Sequence, residues 1–384
     1  MGAFAQRSPR IFLSAGEASG DLHGAGFVRA LRELRPDVRV ACLGGTMLRN
    51  AGAEVLADNT EIAVVGLTEV LRHAKDIFNA WKRIRNHIVR QRPDLIVLID
   101  FPDFNFLLAR LARRCGMKIL YYVSPQVWAW RSGRVRTLKR VVDEMAVILP
   151  FEVDFYRRHG MAVRYVGHPL LDAVRNAPPR DEALTRYGAV DGSLLIGLLP
   201  GSRQSEVRLV FPVLIEAARR LRERMPGLSF IVPAAPTLAP EPIRSALAEA
   251  KLPARVVSGD TYGVIRACDL IVTVSGTVTL EAALLDTPMI IVNRVSRLSY
   301  TLGRDLIRVR YVGLPNLIAG RGVVPELLQQ EARADIVCER VLEFLRDPAL
   351  PAAQRRAFAG IRERLGQPGV ARRVATMALR MLEP

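Results

Sequence analysis

Short apolar runs recur along this chain, each breaking at a turn and followed, in most cases, by helical periodicity. In the first half the runs lie at 10–15, 38–43, 95–99, 118–123, 145–149 and 163–166. In the second they lie at 194–199, 228–233, 254–258, 270–274 and 288–293. Strands that are apolar throughout are buried on both faces, and their alternation with helices predicts parallel, doubly wound α/β sheets. The two series are separated by RNAPPRDEALTRYGAVDGS (175–193), where adjacent prolines and several charges predict a linker. The expected division is a first α/β domain over 1–172, a linker over 173–193 and a second domain over 194–351. A basic, amphipathic helical tail over 352–384 is expected to pack back on the first domain or on a partner subunit.

Composition narrows the function classes. No uninterrupted apolar run approaches the ~20 residues needed to span a bilayer. The segment IFLSAG near the N-terminus closes at Glu17, which reads as neither signal peptide nor anchor. The four cysteines (42, 115, 268, 338) lack metal or redox spacing and read as reduced packing residues of a cytoplasmic protein. Five histidines, none in paired spacing, argue against a dedicated metal cage. A formal net charge of +17 is shared by both halves and calls for an anionic partner: nucleic acid, lipid or phosphorylated metabolite.

Two strand–turn–helix corners in the second half carry the sharpest signal. LLIGLLPGSR (194–203) breaks at Pro200-Gly201 and leads through Ser202, Arg203 and Ser205 into a helix. LIVTVSGTVTLE (270–281) breaks at Ser275, Gly276 and Thr277, with Glu281 one turn into the next helix. Such corners lie at the carboxyl edge of a parallel sheet, where ligands bind. Backbone N–H groups at a helix start, with an arginine nearby, suit a phosphate, and Glu281 can accept from ribose hydroxyls. An ordinary corner with a solvated glutamate is the competing reading.

Three segments of the first half carry further chemistry. IFLSAGEASGDLHGAGFVRAL (11–31) lacks the GxGxxG spacing of a dinucleotide site, so no such cofactor is expected. Its loop offers Glu17, Ser19 and Asp21, although Asp21 could equally cap a helix. Asp100 closes the apolar strand LIVLI (95–99), where an uncompensated carboxylate is costly and burial raises its pKa toward that of a useful base. Pro102 keeps Phe101 out of the helical region, leaving Asp103 placed as an N-cap. YVSPQVWAWRSGRVRTLKR (122–140) interleaves Trp128 and Trp130 with a basic run. In 66–92, apolar positions 67, 70, 74, 77, 81, 84 and 88 form one stripe, with Lys82, Arg83, Arg85 and Arg90 around it. Either that helix packs on the core, or it docks on an anionic membrane through Leu67, Leu71, Ile77 and Trp81, with Trp128 and Trp130 as a second acyl contact.

The motifs AGEASGD (15–21), DFPDFN (100–105), YVSPQVWAWR (122–131), LPFE (149–152), VGHP (166–169), LPGSR (199–203), SGTVTLE (275–281) and LPNLIAGR (314–321) together resemble the lipid-A-disaccharide synthase family. The resemblance implies a GT-B architecture, two Rossmann-like domains facing a cleft. It also implies inverting transfer of 2,3-diacylglucosamine from its UDP conjugate to 2,3-diacylglucosamine 1-phosphate (lipid X), without cofactor or metal. On this reading Asp100 is the base, with Glu17 and Asp21 as further cleft carboxylates. Ser19, Ser202, Arg203, Glu206, Ser275, Gly276, Thr277, Glu281 and Asn316 hold the UDP-sugar. His168 is either a cleft residue or a packed one. Acylated substrates imply a cytoplasmic protein peripheral on the inner membrane, with an anionic surface as partner, no nucleic acid and a homodimer as an option. The alternatives are another UDP-sugar enzyme of this fold, such as a UDP-N-acetylglucosamine 2-epimerase or the peptidoglycan glucosaminyltransferase, and a basic RNA-binding protein.

Overall fold

The computed structural model describes residues 7–61, 74–130, 132–189, 193–295 and 310–383, the side chains of 61, 74 and 130 excepted. Two compact units emerge, Met1–Pro169 with Gln367–Pro384, and Leu170–Gly366.

The first unit is built on a parallel sheet of β1 (Arg10–Ala15), β2 (Arg39–Gly44), β3 (Glu54–Asp58), β4 (Leu95–Ile99), β5 (Lys118–Tyr122), β6 (Glu144–Val147) and β7 (Arg164–Tyr165). Their spatial order is β3-β2-β1-β4-β5-β6-β7. The order reverses direction between β1 and β4, which pair in parallel register from Ile11↔Leu95 to Ala15↔Ile99. The apolar runs are buried as expected: β4 is buried at all five positions and β1 at five of six. Strand β3 was not legible, because its sequence EVLAD has only one fully buried residue.

The second unit has β8 (Leu195–Leu199), β9 (Ser229–Ala234), β10 (Arg255–Ser258), β11 (Leu270–Thr273), β12 (Met289–Asn293) and β13 (Glu326–Leu328). Their order is β10-β9-β8-β11-β12-β13, with the reversal between β8 and β11. In an open parallel sheet, that reversal opens a crevice at the carboxyl ends of the two central strands. Both units therefore offer one such position, and each candidate corner of the sequence falls on it.

The boundaries differ from the composition-based division. Within the expected linker the described residues include helix Arg180–Tyr187 of the second unit, where Arg180 pairs with Asp269 at 2.9 Å. Adjacent prolines mark the start of a helix here. The expected tail also divides. Helix Ala349–Arg364 stays with the second unit, where Gln354 exchanges hydrogen bonds with both backbone groups of Met289. Helix Val370–Leu382 belongs to the first unit, with Arg373 donating to the Val166 carbonyl at 2.9 Å. Gly369, in the left-handed region at φ 90°, turns the chain between them. All four cysteines are free thiols, and no helix among the described residues is long and apolar enough to cross a membrane.

Candidate functional site

In the first unit the β1/β4 reversal brings together the loops that follow the two strands. The turn after β4 is strained: Asp100 and Phe101 both adopt left-handed backbone, at φ 42° and 44°. Two successive non-glycine residues there cost on the order of 1–3 kcal/mol each, so the surroundings must enforce them. The enforcement is a buried polar network. Asn105 donates to the carbonyls of Ile99 (3.2 Å) and Asp100 (2.7 Å) and accepts from Ser14 Oγ (2.6 Å). The Tyr121 hydroxyl also donates to the Asp100 carbonyl, at 2.7 Å. The Phe101 ring lies against Gly16, where any Cβ would collide with it.

This clamp acts on the Asp100 backbone carbonyl and not on its carboxyl. Burial and then the neighbouring Glu17 charge push that carboxyl up to about 7, with the Phe101 amide opposing. Glu17 occupies the N-cap position of helix Ala18–Leu34, half-buried, and Ser19 is exposed in the same first turn. Asp103 is not the N-cap: Phe101 holds that position, Pro102 begins the helix, and Asp103 pairs with Arg134 at 2.7 Å.

A second buried carboxylate escaped the reading of the sequence. Glu152 accepts from Ser124 Oγ (2.5 Å), Trp128 Nε1 (3.2 Å) and the amides of Ile148 (3.2 Å) and Leu149 (2.9 Å). Burial pushes it up to about 7 against those four donors. Its signal was available, since LPFE puts proline at the first helical position and glutamate at the third, a capping arrangement. Trp128 is thereby fixed, its ring edge-on to Phe151 at 4.9 Å. The Trp130 side chain, Leu67 and Leu71 lie outside the described residues.

Several assignments are corrected by the hydrogen bonds. Asp21, only 5% exposed, accepts from the amides of Gly45 (2.7 Å), Met47 (2.9 Å) and Leu48 (3.2 Å). It caps the short helix Thr46–Asn50 across the sheet edge, the capping reading of the two that the sequence left open. Asp21→Ala would strand buried donors at a cost on the order of 3 kcal/mol. The expected result is a lowered melting temperature with activity per folded molecule retained; inactivity without destabilisation would return Asp21 to the chemistry. His168 is buried, and burial and the nearby His23 push it down to about 3, so it is a neutral packed histidine. Ile77 and Trp81 face inward on the core, Trp81 edge-on to Phe104 at 5.6 Å.

In the second unit, the corner after β8 turns at Gly201, whose φ of 112° and contact with Glu206 admit no side chain. Glu206 accepts from the amides of Ser202 (3.0 Å) and Arg203 (3.2 Å) and pairs with the Arg203 guanidinium at 3.4 Å. Its carboxylate therefore organises the corner. Ser202, Arg203 and Thr277 remain exposed. Ser275 donates to the Val312 carbonyl at 2.9 Å, and Gly276 sits at the N-cap of helix Thr277–Leu284. Glu281 is half-buried on that helix, its carboxyl raised by burial.

Asn316 is 1% exposed and fully committed. It donates to the Val324 carbonyl (2.8 Å) and Glu326 Oε1 (2.7 Å) and accepts from the amides of Val323 (2.7 Å) and Val324 (2.8 Å). That accounts for its hydrogen-bonding capacity in this structure, where it pins the 323–326 loop. Among the described residues no three His, Cys, Asp or Glu side chains converge to hold a metal ion.

The family model described as lipid-A-disaccharide synthetase matches residues 11–376. The lipid-A-disaccharide synthase of Geobacter sulfurreducens is 50% identical over 375 residues, covering 98% of each chain. Among solved structures, UDP-GlcNAc 2-epimerase from Neisseria meningitidis bound to UDP-GlcNAc aligns with TM-score 0.67 at 11% identity, covering 97% of this chain and 100% of that one. The glycotransferase of kitacinnamycin aligns with TM-score 0.66 at 14% identity, covering 98% and 100%. At such identities these two speak to the fold, two parallel α/β units of the GT-B class. Near-complete coverage by the family model and a 50% identical relative settle membership: the chain belongs to the lipid-A-disaccharide synthase family of glycosyltransferases.

Proposed function

We propose that the protein transfers 2,3-diacylglucosamine from its UDP conjugate to the 6-hydroxyl of lipid X, with inversion, releasing UDP and a β-1,6-linked disaccharide phosphate. The observation that carries this chemistry is Asp100, a carboxyl at the end of a fully buried strand, poised at about 7 by burial and Glu17. A base of that strength is largely ionised just above neutrality yet still takes a proton readily. Asp100 accepts the 6-hydroxyl proton as the acceptor oxygen attacks the donor C1 from the face opposite the diphosphate. The C1–O bond to UDP breaks, and its electron pair leaves with the diphosphate. Arg203, the Ser202 and Thr277 corners and the two helix starts take up that charge. Glu281 accepts the ribose hydroxyls. The deciding experiment offers acylated and unacylated UDP-glucosamines and measures UDP release with and without lipid X. Turnover of the unacylated donor at the rate of the acylated one would remove the lipid specificity.

Acylated substrates require work at a lipid surface. With Ile77 and Trp81 turned inward, the outward stripe of helix Ala74–Gln91 is Phe78 (63% exposed), Lys82, Arg85 and Val89 (47% exposed). An exposed aromatic among cations suits an anionic headgroup region. Phe78→Ser is expected to lower binding to anionic vesicles without changing the melting temperature, and wild-type binding to weaken with salt. Trp81→Ser is expected to do the reverse, lowering the melting temperature and leaving vesicle binding per folded molecule intact. Vesicle binding unmoved by Phe78→Ser would place the contact elsewhere.

A further inference from the structure

Glu281 has a neighbour that the two corner motifs do not supply. The hydroxyl of Tyr262, on helix Thr261–Ala267, donates to Glu281 Oε1 at 3.1 Å within the same compact unit. Asp260 caps that helix by accepting from the Gly263 amide at 2.9 Å, so the base of the phenol is held in place. Burial, and then the Glu281 charge, hold the phenol well above its ordinary value, so it stays a donor throughout the working range. Burial also raises the Glu281 carboxyl, and the Tyr262 hydrogen bond opposes that rise.

An ionised carboxylate has about four lone-pair sites, and the phenol occupies one of them. The second oxygen and the remaining lone pair stay available to a ligand. A glutamate without such a partner would sample several rotamers, and ordering it would then be charged against binding. We propose that Tyr262 is a positioning residue for the nucleotide: it fixes Glu281 in the orientation that accepts a vicinal diol, and so sets the preference for ribo over 2′-deoxyribo nucleotides. This rests on the reading of Glu281 as the ribose acceptor.

The test is calorimetric titration of UDP and 2′-deoxy-UDP into the wild type, Tyr262→Phe, Tyr262→His and Glu281→Gln. The wild type is expected to prefer UDP by roughly 10- to 100-fold, the range of a hydrogen bond to a charged group. Tyr262→Phe should shrink that preference several-fold while barely changing affinity for 2′-deoxy-UDP; a merely space-filling tyrosine would weaken both ligands alike. Tyr262→His, which keeps a ring N–H donor, should retain part of the preference, and it serves as the readout if the phenylalanine variant folds poorly. The UDP affinity of Tyr262→Phe should also begin to fall at a higher pH on acidification, because the bond that lowers the Glu281 pKa is gone. An unchanged UDP to 2′-deoxy-UDP ratio in Tyr262→Phe would overturn the positioning role and leave the Glu281 reading standing. A histidine variant no more selective than Glu281→Gln would also overturn it. No preference in the wild type itself would remove the Glu281 reading first, and this inference with it.

Discussion

Asp100→Asn is expected to lower turnover by about 10²- to 10⁴-fold, the usual contribution of a positioned base, with UDP affinity nearly unchanged. The substitution keeps the side chain's shape, and the Asn105 and Tyr121 bonds to the Asp100 carbonyl do not depend on the carboxylate. UDP affinity is spared because the corners assigned to the donor belong to the other compact unit. Wild-type kcat/KM should rise with pH through about 7 and then level, since the base works only when ionised. The residual activity of the asparagine variant should lack that step. Stability should move the opposite way. The folded carboxyl binds its proton more tightly than an unfolded aspartate, so its favourable share is complete at low pH and is lost as pH rises toward 7. Asp100→Asn should therefore melt higher than the wild type at pH 8 and lose that advantage near pH 4. Wild-type turnover in this variant would move the base to another group, with Glu17 the next to test.

The second large effect is expected in UDP binding. Arg203→Ala should weaken it by roughly 10- to 100-fold, since a charge-assisted contact to a diphosphate is among the stronger single hydrogen-bonding terms. The ion pair of Arg203 with Glu206, at 3.4 Å and half exposed, is of the kind worth little in water. A diphosphate can thus recruit the guanidinium at small cost. Glu281→Ala should weaken UDP less, because only the ribose contact is lost. Isothermal titration at two salt concentrations checks both: the loss in Arg203→Ala should narrow as salt screens the wild-type contact. Unchanged affinity in both variants would take the nucleotide away from these corners.

The fold was legible because a parallel sheet covered on both faces leaves unbroken apolar runs such as LIVLI and LLIGLL. It failed where that logic lapses, at the half-exposed strand β3 and at the three-residue β13. The corners were legible as motifs, while the partners of their polar side chains were not. Asp21 reads as a carboxylate facing a cleft until its three acceptor bonds, made to residues 24 to 27 positions away, are seen. Asn316 reads as a ligand contact, and the sequence gives no sign of its four bonds to 323–326. Local sequence tells which chemistry a side chain offers, and long-range packing decides whether the fold has already used it. Tyr121, Asn105 and Glu152 show the converse: their importance comes from the strained turn and the loop that they hold.

The return of helix Val370–Leu382 to the first unit bears on how the chain is made. Residues 1–169 are made before the second unit, yet the helix that lies against Ala18–Leu34 and accepts from Lys118 is made after it. Until then the face of the first unit that packs against Val374, Ala375, Met377, Ala378 and Met381 lacks its cover, whereas the second unit is contiguous in sequence. The first unit is thus discontinuous in sequence, joining Met1–Pro169 to Gln367–Pro384, whereas the second, Leu170–Gly366, is continuous. Removing residues 367–384 is expected to destabilise the unit that carries Asp100 more than the unit that carries Arg203.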